Sequence, residues 1–197
     1  MKFFKENSYD ITRLFINQVG ITIFSMILYT ALGMVNLDEA TKLGINIALS
    51  VFATLFYFAL LYTVAWDWGA KDKIRIDGGR MEPVKLKGAR MAAFANVPNF
   101  VLTFICVITF AIYLISGNEV CYTVSAVFNT IVRLLMSMYL GILKGVFNPL
   151  NANADMFYFT QAIGYFVIPV FAIAVTQIGY SFGLRERKIF TSKTKKQ

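Results

Sequence analysis

Histidine is absent from this 197-residue chain. That removes the commonest general acid–base and the commonest metal ligand. Charge is scarce: 15% of residues are Asp, Glu, Lys or Arg, against about a quarter in an average soluble domain. Cysteine occurs twice. Cys106 lies inside a hydrophobic run and Cys121 just after it, a placement of free thiols rather than of a disulfide or metal pair. The GxxxxGK[ST] spacing of a phosphate loop is missing. No internal repeat is visible, so an inverted-repeat transporter has no support. No cofactor is called for.

What is present is apolar surface. Hydrophobic residues make up 57% of the chain and aromatics 16%, with a mean hydropathy of +0.61. They are clumped into long runs rather than spread at amphipathic spacing, which is the pattern of membrane spans. The runs cover about 14–35, 43–66, 91–116 and 157–182. Each can cross a hydrocarbon core that needs about 20 apolar residues. The first run is too long for the core of a cleaved signal peptide and has no clear A-x-A site, so it reads as a retained helix. Trp66 and Trp68 close the second run at the level of an aromatic belt.

Between the third and fourth runs, 121–147 is long enough to cross but carries Asn129, Arg133, Ser137, Gly141 and Lys144 on one helical face. An arginine at the bilayer centre costs at least about 2.5 kcal/mol. The expectation is therefore an amphipathic or re-entrant helix at the interface, with Arg133 snorkelling outward. The fold class is all-α: a polytopic transmembrane bundle of four crossings plus that helix, in one domain over 1–183, followed by a basic tail, 184–197. Five crossings is the alternative. Charge decides between them. With four crossings and the N-terminus inside, sixteen of the nineteen basic residues face the cytoplasm. Five crossings would move the basic tail outside, against the positive-inside rule. The net charge of +8 then reads as attraction to anionic lipid head groups, not to nucleic acid.

Candidate functional residues fall in two places. The basic loop, Trp66 to Ala92, carries Arg75, Arg80, Lys85 and Lys87, which suit a lipid head group or another anion. Ile74-Arg75-Ile76 alternates like a short strand, and Gly78-Gly79 signals a turn. Asp67, Asp72 and Asp77 read as caps and loop solvation. At membrane depth, Asn17, Gln18, Asn96, Asn99 and Arg133 are candidate polar contacts, joined by Asn46, Gln161 and Gln177. Gly141–Gly145 and Gly179–Gly183 have the small-xxx-small spacing of close helix contacts. Pro98 and Pro169 are potential kinks.

Three stretches carry a resemblance: RLFINQVGITIFSMIL (Arg13 to Leu28), LLYTVAWDWGAKDKIRIDGGR (Leu60 to Arg80) and KGARMAAFANVPNF (Lys87 to Phe100). The chain resembles a family of uncharacterised bacterial integral membrane proteins. The resemblance covers the first half well and the second half poorly. It implies a bacterial cytoplasmic membrane, and no activity or site residue comes with it.

The expected role is a non-enzymatic membrane subunit or scaffold that binds a membrane partner or another copy of itself. The alternative is a small transporter or transporter component. A lipid-modifying enzyme ranks last, because an acid–base or metal constellation is hard to assemble from these residues. The topology has a direct check. Reporters fused to the N- and C-termini should both read cytoplasmic; a C-terminal reporter on the outside means an odd number of crossings.

Overall fold

The computed structural model describes residues 2–147 and 154–186, with side chains from Phe3 to Phe147 and from Tyr158 to Glu186. Most of the basic tail, 187–197, lies outside the described residues. Among them every regular element is helical: α1 (Lys2–Glu6), α2 (Ser8–Gly33), α3 (Glu39–Asp77), α4 (Lys87–Ser116), α5 (Glu119–Leu135), a 3-10 turn (Ser137–Tyr139), α6 (Leu140–Phe147) and α7 (Ala154–Leu184). Four helices are long and apolar enough to cross a membrane: α2, α3, α4 and α7 from Tyr158 onward. They coincide with the four runs read from the sequence. Pro98 and Pro169 sit inside α4 and α7, which continue through them.

The packing suits an apolar solvent. Ile16, Ile27, Leu55, Phe104 and Phe171 are more than half exposed, while Ser50, Thr103, Ser125 and Thr176 are fully buried. Lipid tails solvate the large aliphatic groups as well as a protein core does. Close backbone approach and polar contacts are then left to hold the helices together. α3 and α7 form the most extensive pair. Gly69 on α3 and Gly183 on α7 make their approach possible. A Cβ at Gly69 would strike the Tyr180 carbonyl, and one at Gly183 the Trp66 carbonyl.

Two expectations for the loop change. The second span does not stop at Trp66. α3 runs on to Asp77, so Ile74-Arg75-Ile76 is helix rather than strand. Nothing between Trp66 and Asp77 breaks a helix, and i,i+4 pairs support the extension: Lys71–Asp67 at 2.6 Å and Lys73–Asp77 at 3.8 Å. The turn signal at Gly78-Gly79 holds. Gly79 adopts φ +66, and the Arg80 and Gly79 amides donate to the Arg75 and Ile76 carbonyls at 2.9 Å each. That is a Schellman stop, which uses a left-handed residue. At the other end of α3, the Asp38 carboxylate caps Thr41 N–H at 2.9 Å, and hydrogen bonding from the Thr41 side chain and then its amide holds the Asp38 pKa below the usual carboxylate range.

The segment 121–147 is not one helix lying in the interface. It breaks at Met136, and the two halves are bent by 85°. α5 descends along α4, with Ser125 Oγ donating to the Cys106 carbonyl at 3.1 Å. α4 ends, and α7 begins, at the same end of the bundle: the Tyr158 ring packs on Phe110 with centroids 4.5 Å apart. The bent pair therefore enters from that end and returns to it, which is the re-entrant form of the expectation. Part of its polar face turns inward, with Asn129, Ser137 and Gly141 buried and Ser137 Oγ donating to the Thr22 carbonyl at 3.0 Å.

Packing predicts a graded response to volume. Gly183→Val should cost about 1–3 kcal/mol or more through overpacking, read as a lower melting temperature in detergent. Gly20, with nothing near its Cβ position, should accept alanine without loss.

Candidate functional site

Three helices build a polar seam along the axis of the bundle. α4 runs antiparallel to both α5 and α7. At the level of Cys106, the Ser125 and Tyr158 hydroxyls lie 3.3 Å apart. One helical turn deeper, this register brings Thr103, Asn129 and Gln161 to a common level. A further turn brings Asn99, Arg133 and Tyr165 together. The Arg133 guanidinium lies next to the Tyr165 hydroxyl. Asn99 is about 18 Å along α4 from one helix end and 25 Å from the other, so this level is near mid-membrane.

The seam is under-satisfied. Among the described residues, Asn99 Oδ1, Thr103 Oγ1, Asn129 Oδ1 and Gln161 Nε2 are buried with no hydrogen-bond partner. Each residue is under 5% exposed. An unpaired buried polar group costs about 1–3 kcal/mol, and native proteins carry few of them. Four on one seam call for a partner that the described residues do not supply.

Beside these, the polar groups are fully used. Asn99 Nδ2 donates to Gln18 Oε1 at 2.9 Å and to Asn96 Oδ1 at 3.0 Å. Gln18 Nε2 reaches the Leu135 carbonyl at 3.4 Å. The structure thus gathers Gln18, Asn96, Asn99 and Arg133 in one place. Asn17 is half-buried on α2 and takes no part. Gln177 serves elsewhere: its Oε1 accepts from Ala89 N–H at 2.9 Å, in the first turn of α4.

Below the seam the interior closes. Leu14, Leu61, Ala65, Met91, Ala95 and Ala172 form an apolar layer, each buried. Beyond it, at the end of the bundle rich in Lys and Arg, lies a pocket of about 220 Å³ lined by Tyr9, Asp10, Arg13, Trp68, Lys71, Arg75, Lys87 and Met91. Two of its lining residues, Arg75 and Lys87, pair with the buried carboxylate of Asp72. Lys87 Nζ approaches Asp72 Oδ2 at 2.7 Å, the Tyr180 hydroxyl donates to the same oxygen at 2.8 Å, and Arg75 stands 3.7 Å from Oδ1.

Of the four expected anion contacts, Arg75 and Lys87 share this pocket. Arg80 is exposed beyond the Schellman turn, and Lys85 lines a shallow groove with Gln177 and Leu184. Asp72 corrects the reading of the three loop aspartates. It is a buried ion-pair partner, only 4% of its side chain being exposed, not a cap or a solvated loop residue. Trp68 is likewise buried rather than set in an aromatic belt. The signal for both was the inward stripe of α3, which continues in step from Tyr57 through Leu61, Ala65 and Trp68 to Asp72.

No family model, curated protein or solved structure matches this chain.

The Asp72 centre makes a sharp stability prediction. Asp72→Asn removes the direct ion-pair partner of the nearly buried Lys87 ammonium, leaving it only the Asp10 carboxylate across the pocket, and removal of one partner from such a pair costs about 3–5 kcal/mol. The double variant Asp72→Asn/Lys87→Met should recover most of that loss. Thermal unfolding in detergent reads both.

Proposed function

We propose that this multi-pass membrane protein is a small transporter, or the solute-handling component of one, in the cytoplasmic membrane with both termini inside. The observation that carries the reading is the under-satisfied seam one to two turns from the tip of a broken, re-entrant helix. Non-helical backbone at membrane depth is tolerated where it is buried in protein or lines a polar cavity. Carriers place their sites at such breaks near the midplane. The seam lies at mid-membrane, below the buried Phe110 and the Tyr158 and Phe159 rings packed on it toward the end where α5 begins. The apolar layer below it acts as a seal. This arrangement suits alternating access, with the Phe110–Tyr158 rings on one side of the site and the apolar layer on the other as its two closures.

The subunit or scaffold reading loses support from the glycine pairs. Gly141 and Gly145 pack on Asn46 and Ile47 of α3, and Gly179 and Gly183 on Tyr62 and Trp66. All are used inside the chain, so none offers a face to a second copy. The protein nevertheless needs no catalytic group in this role, and four crossings leave room for an energising partner. The basic pocket around Asp72 is an anchor for anionic head groups at the cytoplasmic surface, through Arg13 and Arg75.

The seam has a chemical test. A cysteine placed at Asn129 should react with a hydrophilic thiol reagent applied from the side where α5 begins, and one at Met91 should not react from that side. Equal protection of both positions from both sides, with no flux in reconstituted vesicles, counts against a solute path.

A further inference from the structure

We infer that the mid-membrane seam binds a small carboxylate that also carries a hydrogen-bond donor, as hydroxy acids and amino acids do. The inference rests on the transporter reading and adds the chemical class. Two cations stand at this depth. Arg133 lies at the level of Asn99 and Tyr165, and Lys144 on α6 is close enough to interact with it electrostatically. Among the described residues neither has an ion pair with a carboxylate: the described pairs all involve Asp or Glu at the two ends of the bundle. Two adjacent like charges at membrane depth repel and are costly to hold without an anion. Nor can Arg133 reach water by snorkelling. It lies about 21 Å along α5 from the helix start, well beyond the reach of its side chain.

The unpartnered atoms refine the ligand. Gln161 Nε2 is a donor, and the Thr103 hydroxyl donates or accepts. With Arg133 they match a carboxylate, whose two oxygens take several donors. Asn99 Oδ1 and Asn129 Oδ1 are acceptors. The orientation of Asn99 is fixed, because its Nδ2 already serves Gln18 and Asn96. A bare halide would leave these acceptors unmatched. An uncharged polyol would leave Arg133 unmatched. A carboxylate with a neighbouring O–H or N–H matches both.

The experiment uses the full-length protein in lipid vesicles and measures uptake and binding of lactate, alanine, chloride and glycerol. Lactate or alanine should be bound and moved, and chloride and glycerol should not compete. Arg133→Gln should weaken binding at least tenfold, while Arg133→Lys retains part of it. Asn129→Leu should lower affinity with the anion preference kept. Binding to the unmodified protein is measured in parallel, so a variant that fails to fold does not decide the matter. Transport of chloride alone or glycerol alone leaves the transporter reading standing and overturns the proposed ligand class. No binding and no uptake across the panel overturns both.

Discussion

A helix that breaks inside a membrane releases carbonyls and amides into a solvent that cannot hydrogen-bond them. Here the break at Met136 frees the Leu135 and Met138 carbonyls and the Gly141 and Ile142 amides. Each finds a side chain from another helix. Thr22 donates to Leu135 O at 2.8 Å and Gln18 shares that carbonyl. Ser50 and Thr54 donate to Met138 O. Ser50 Oγ and the Tyr29 hydroxyl accept from Ile142 and Gly141. Ser137 Oγ returns the bond by donating to Thr22 O at 3.0 Å. Left unpaired, each such group costs several kcal/mol in hydrocarbon. The identities of Gln18, Thr22, Tyr29, Ser50 and Thr54, and the way α2 and α3 face the tip, follow from this requirement.

The same requirement sorts polarity along the axis. Side chains that serve the broken backbone are fully used, and those one or two turns nearer the α5 entrance are not. Full satisfaction makes a rigid tip. Partial satisfaction beside it makes a place with affinity for polar atoms from outside. The apolar layer of Leu14, Leu61, Met91 and Ala95 stands between that place and the Asp72–Lys87 centre and keeps water from joining the two. Gln18 links rigid and open parts, because one amide holds both Leu135 O and Asn99.

Much of this was legible in the sequence, for physical reasons. Four long apolar runs have no stable home except the bilayer, so the spans were readable. Asn96, Asn99 and Gln18 stood out because amides are expensive there. Their convergence was not readable, since it depends on the offsets between helices. The break at Met136 was hidden because neither Met136 nor Ser137 is a helix breaker. It is set by tertiary contacts with α2 and α3. Pro98 and Pro169, the residues with a breaking signature, lie in unbroken helices. Asp72 was misjudged because a rise in charge after Trp66 resembles a loop. The inward stripe of α3 continues through it at helical spacing, and that periodicity was the better guide.

α3 has a consequence for how the molecule meets its surroundings. At 39 residues it is about 58 Å long, nearly twice the thickness of a bilayer core of about 30 Å. The surplus at its C-terminal end is clamped to α7 through Gly69 and Gly183 and so cannot fold away. It forms a fixed extension that carries the Schellman turn past the apolar part of the span. Lys71 and Arg75, and the pocket they help to line, are thereby held at a set distance from that apolar part by helix geometry rather than by a loop.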